Sequence, residues 1–72
     1  STDVAARFAA GLPAHLAPGG SALVLLSSDG DEDSFLDAFR LNGMCTGIAA
    51  RRAFATETLT VYRVARGAGE AP

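Results

Sequence analysis

The chain reads as a small α/β domain in the order helix–strand–helix–strand–strand, with a partial doubly wound sheet whose last strand runs antiparallel. Three observations predict this. The run Ala22–Leu26 is wholly apolar and follows directly on a Pro18-Gly19-Gly20 turn, as in a strand buried on both faces of a parallel sheet. A stretch opening on Asp31, Glu32 and Asp33 then places Phe35, Leu36 and Phe39 along one helical face. Finally, Thr58–Arg66 is rich in β-branched and aromatic residues and sits too close behind the preceding strand for a crossover.

Each element carries its own signals. Thr2 or Asp3 is a candidate N-cap for the first helix, and Val4, Phe8 and Leu12 recur at four-residue spacing as its apolar stripe. Pro13 cannot sit in a straight continuation, so a kink or restart is expected there. Ala17-Pro18-Gly19-Gly20 stops the helix and turns the chain into the strand Ala22–Ser27. The second helix closes on Asn42-Gly43, with Gly43 in the left-handed conformation. Met44–Arg52 reads as a strand weakened by Gly47 and small residues, and Phe54-Ala55-Thr56 as a loop. Strand, helix and strand from 22 to 52 are expected to form a right-handed parallel crossover. Residues 1–66 make one small domain and 67–72 a frayed tail.

Composition bounds what such a domain does. A chain of 72 residues buries only about 60% of its unfolded surface. Fifteen residues are alanine and eight glycine, against four Phe, one Tyr and no Trp. That stock is thin for covering both faces of a sheet, which points to association or to a larger whole. All six basic residues are arginine and the net charge is −2. No basic cluster suits a phosphate backbone, so nucleic acid is excluded as a partner. Cys45 is the only cysteine, so no internal disulfide forms. No stretch approaches the ~18 apolar residues of a membrane span, and no basic n-region precedes an apolar core. A cytoplasmic location is the expectation.

Ligands of open α/β sheets bind beyond the carboxyl ends of the strands, which directs attention to Ser27, Ser28 and Asp29 as one lip of a substrate pocket. The alternative is a strand end whose hydroxyls cap the following turn. Asp29, Asp31 and Asp33 alternate like the start of a calcium loop. The sixth and twelfth positions of that loop are Ser34 and Arg40, however, where Gly and Glu are needed. One Cys and one His cannot complete a zinc site, so no metal is expected. His15 reads as a surface or helix-terminal residue, Cys45 as a small core residue, and Arg51-Arg52 as an exposed strand end.

Leu16-Ala17-Pro18-Gly19-Gly20, Ser27-Ser28, Asn42-Gly43, Arg51-Arg52 and the closing Leu59-Thr60-Val61-Tyr62-Arg63-Val64-Ala65-Arg66 resemble the C-terminal part of a class I S-adenosylmethionine-dependent methyltransferase of the HemK-like branch, which methylates protein glutamine. The resemblance spans about residues 4–66. It implies a Rossmann-like sheet whose last, antiparallel strand inserts beside the fifth. It also implies S-adenosylmethionine as cofactor of the complete enzyme. The family's glycine-rich loop after its first strand, its ribose-binding acid and its Asn-Pro-Pro-Tyr motif do not occur among these residues. The chain alone is therefore expected to have no cofactor-binding or catalytic residues. Its expected partner is the missing N-terminal half or a second copy, met through the unguarded edge of Ala22–Leu26. The alternative is a small non-catalytic module that dimerises.

Overall fold

The computed structural model describes residues 3–67. Helix α1 spans Val4–Gly11 and passes into a 3-10 turn over Leu12–His15; strand β1 is Ser21–Ser27, helix α2 Glu32–Leu41, strand β2 Met44–Ala53 and strand β3 Thr58–Arg66. The break in α1 falls where Pro13 starts a tighter turn, since its ring removes one donor from a continuing α-helix. Asp3 occupies the N-cap of α1 through its backbone, with no side-chain bond. Ala17-Pro18-Gly19-Gly20 closes with a Gly20 N–H to Ala17 carbonyl bond of 2.8 Å, and Gly19 has φ +76°. Proline second and a positive-φ glycine third are the requirements of a type II turn. Gly43, with φ +75°, ends α2 as anticipated.

The three strands lie in the order β1-β3-β2, and β3 is antiparallel to both neighbours. Strands β1 and β2 therefore point the same way without touching. The parallel crossover expected over residues 22–52 is thus a split one, with β3 occupying the space between its strands. The β1/β3 register is unbroken from Ser21↔Ala65 to Ser27↔Leu59. The β2/β3 ladder is interrupted between Ile48 and Ala50. The extra residue, Ala49, bulges a strand already weakened by Gly47.

Alternation along β3 sets the two faces. Thr60, Tyr62 and Val64 are buried, and their neighbours are not. They share a face with Leu26, Val24 and Ala22 of β1, and both helices pack there. Phe39 and Val64, fully buried, form the centre of the core with Ala9, Leu12, Ala38 and Met44. Three phenylalanines seal the helix pair: Phe8 meets Phe35 and Phe39 edge-on at centroid separations of 6.1 and 6.0 Å. The Arg66 guanidinium donates to the carbonyls of Pro13, Leu16 and Ala17, tying the end of β3 to the turn before β1.

Four expectations are corrected. The sheet is not doubly wound over the described residues, because α1 and α2 lie on one face. β1 is accordingly not buried on both sides: Leu23 and Leu25 remain 62% and 61% exposed. On the first helix Ala9 is buried and Ala5 partly buried, with Leu12 buried in the 3-10 turn, whereas Val4 and Phe8 of the expected stripe stay 60% and 43% exposed. Cys45 is exposed instead of in the core, as is every residue of β2 after buried Met44. The Gly67 N–H bonds to the Gly43 carbonyl at 2.8 Å, and the rest of the expected tail, 68–72, lies outside the described residues. No described helix is long and apolar enough to cross a membrane.

Candidate functional site

Strand β1 runs out at Ser27 into the loop Ser28–Asp31, and α2 begins at Glu32. The loop is held by its own hydroxyls. The Ser27 Oγ donates to the Glu57 carboxylate and accepts the Asp29 N–H at 3.0 Å. The Ser28 Oγ accepts the Thr58 N–H at 2.8 Å, and the Ser28 N–H returns a bond of 2.9 Å to the Thr58 carbonyl. A Gly30 N–H to Ser27 carbonyl bond of 3.0 Å completes the turn. Ser27 and Ser28 are thus brought together with the β2–β3 hairpin. Their hydroxyls pin backbone, as the plainer sequence reading has it. The Asp29 side chain is exposed and enters no hydrogen bond among the described residues.

A second polar group lies where α2 starts over the sheet, and sequence reasoning did not single it out. The Tyr62 hydroxyl donates to the Glu32 carboxylate at 2.6 Å. The Arg51 Nε donates to the Thr60 Oγ1 at 3.3 Å. Thr60 and Tyr62 are adjacent inward positions of β3, and Arg51 lies opposite Thr60 across the ladder. Glu32 is set in the first turn of α2, where a carboxylate complements the helix dipole. The only advance signal was a tyrosine in register with buried β-branched residues; a buried phenol needs a partner.

The bond to Glu32 holds the Tyr62 phenol above its ordinary pKa of 10.0, helped by burial and by the carboxylate charge, while Arg51 acts in the opposite direction. The neutral phenol is the form the fold stabilises. The unfolded phenol loses its proton near its ordinary value, whereas the folded one keeps it to higher pH. The stabilisation is therefore complete below about pH 10 and declines as pH rises through the raised value. Tyr62→Phe is expected to remove about 1.5 kcal/mol, the lower end for a hydrogen bond to a charged group. It is also expected to flatten the alkaline fall in stability; denaturant titrations of both proteins at pH 8 and 10.5 measure this.

The other sequence candidates do not converge. His15 is exposed in the last turn of the 3-10 segment, and Arg52 is exposed on β2. Among the described residues, no three His, Cys, Asp or Glu side chains gather as a metal would require. Nor do these residues fit S-adenosylmethionine. A nucleoside loop follows a strand, opens a helix and uses glycines for close backbone approach. The loop in that position has Gly30 alone, followed by Asp31, Glu32 and Asp33. The two positive-φ glycines instead precede strands. Comparisons of the chain with protein-family models, with curated proteins and with solved structures return no match.

Proposed function

We propose that the chain is the sheet-closing C-terminal part of an S-adenosylmethionine-dependent methyltransferase of the protein-glutamine branch. On this reading it supplies three strands and two helices to a larger domain. The observation that supports it is the strand order: two co-directional strands joined through a helix, with the last strand reversed and inserted between them. The resemblance implies that insertion. The role is structural, and the loop Ser27–Gly30 forms one lip of the acceptor pocket without supplying a reacting group. The cofactor is held by the rest of the enzyme. Titrated calorimetrically with S-adenosylmethionine, the 72-residue chain is expected to give no saturable heat. A micromolar dissociation constant with one site per chain sinks the reading.

A second reading, a non-catalytic module that dimerises, draws on the outer edge of β1. That edge has no strand partner among the described residues, no bulge and no charged side chain from Ser21 to Ser27. Such edges recruit further strands. The opposite edge, on β2, is guarded by the bulge at Ala49 and by Arg51 and Arg52. Under this reading, sedimentation resolves a homodimer in which the outward β1 amides become slow to exchange with solvent. A compact monomer at millimolar concentration, with those amides exchanging freely, excludes it.

A further inference from the structure

Among the described residues nothing covers the face of the sheet away from the helices. Leu23 and Leu25 of β1 stand on it beside Leu59 and Val61 of β3, and Phe54 lies 51% exposed at its end. Leu25, Ala50, Phe54, Leu59 and Val61 line a shallow depression of about 290 Å³. Two arginines stand on it. Arg63 lies opposite Leu23, and Arg52 opposite Leu59. Neither forms an ion pair among the described residues, whose one salt bridge is Arg40–Asp37. The Glu57 carboxylate accepts the Ser27 hydroxyl at one end of the face, so one carboxylate stands against the two arginines.

We infer that this face docks an amphipathic helix whose apolar stripe is bordered by carboxylates and which belongs to a polypeptide other than these 72 residues. The dimensions suit one helix. Three strands about 4.8 Å apart present a strip on the order of 10 Å between outer strands. A helix with its side chains is 10–12 Å across. A helix is also the element that completes a layered sheet by burying its second face. The charges choose the partner. Arginines at either end of an apolar strip complement acidic flanks, whereas a second copy laid face to face brings two arginines for each carboxylate. The chain's own acidic helix cannot serve, because Phe39, Leu36 and Phe35 commit α2 to the other face. Residues 68–72 contain no large apolar side chain.

Two synthetic helical peptides test this against the intact 72-residue chain. They share one leucine stripe, bordered by glutamate in one and by lysine in the other. Calorimetry is expected to show the glutamate peptide binding at least tenfold more tightly, with the margin shrinking as salt is raised. Amide shifts are expected at Leu23, Leu25, Val61 and Arg63 and not in α1. Arg52→Glu combined with Arg63→Glu, both at exposed positions, is expected to reverse the preference. Equal affinity for the two peptides overturns the inference, as does binding of neither or a shift map centred on the helices. A wild-type dimer dissolved by Leu25→Lys overturns it as well, since the face then belongs to a second copy.

Discussion

Phe39→Ala is expected to destabilise the fold by about 3–5 kcal/mol, the range for removing a phenylalanine from a packed core. Phe39 is fully buried and is where the layers meet: its ring lies 6.0 Å from that of Phe8 on α1 and 6.3 Å from that of Phe35 on its own helix. Its loss leaves a cavity bounded by side chains from α1, α2 and the sheet. Alanines at 9 and 38 are too small to collapse into it. For a domain of this size such a loss is comparable with the whole stability. Thermal unfolding followed by circular dichroism measures it. A melting temperature equal to that of wild type would refute the packing described.

Val24→Lys and Leu25→Lys are expected to differ sharply although they are neighbours. Val24 is half-buried against the core, opposite Tyr62. A lysine there brings an ammonium under the helices beside Tyr62, whose hydroxyl already engages the Glu32 carboxylate. The cost exceeds the ~1–3 kcal/mol of an unsatisfied neutral group and leaves the chain largely unfolded. Leu25 faces outward at 61% exposure, so lysine there keeps the fold and removes only apolar surface. The amide spectrum separates the outcomes: collapsed dispersion for Val24→Lys, native dispersion for Leu25→Lys. Native dispersion in both would mean that β1 is turned the other way. The contrast also shows why lysine at 24 does not test the edge of β1, whereas amide exchange does.

The punctuation of this fold was legible in the residues. Pro18-Gly19 and Gly43 fix turns through backbone conformations that few other residues adopt, and the element order follows from them. Facing was less legible. In Ala22–Leu26 every side chain is apolar, so period-two alternation is invisible and one-sided burial looks the same as two-sided burial. In α1 the buried position is Ala9, which a search for large apolar residues passes over in favour of Val4. In β2 the small residues gave no contrast at all, and Cys45 was assigned inward on chemistry alone. The Tyr62–Glu32 pair joins residues 30 positions apart, so only the tertiary packing of α2 over β3 brings them together.

The insertion of β3 also has a bearing on the order in which this chain can acquire structure. Every described sheet bond between strands passes through β3, because β1 and β2 are never neighbours. A ribosome that has delivered residues 1–57 has made two strands that cannot use one another. The nine residues of β3 then convert both at once. At synthesis rates of about 5–20 residues per second, the apolar run of β1 waits seconds for its ladder. Loop closure over more than thirty residues must come before its first sheet contact. The nascent chain is thus most vulnerable to wrong pairing just before β3 emerges, and stop codons placed ahead of Thr58 would leave β1 and β2 without the strand that joins them.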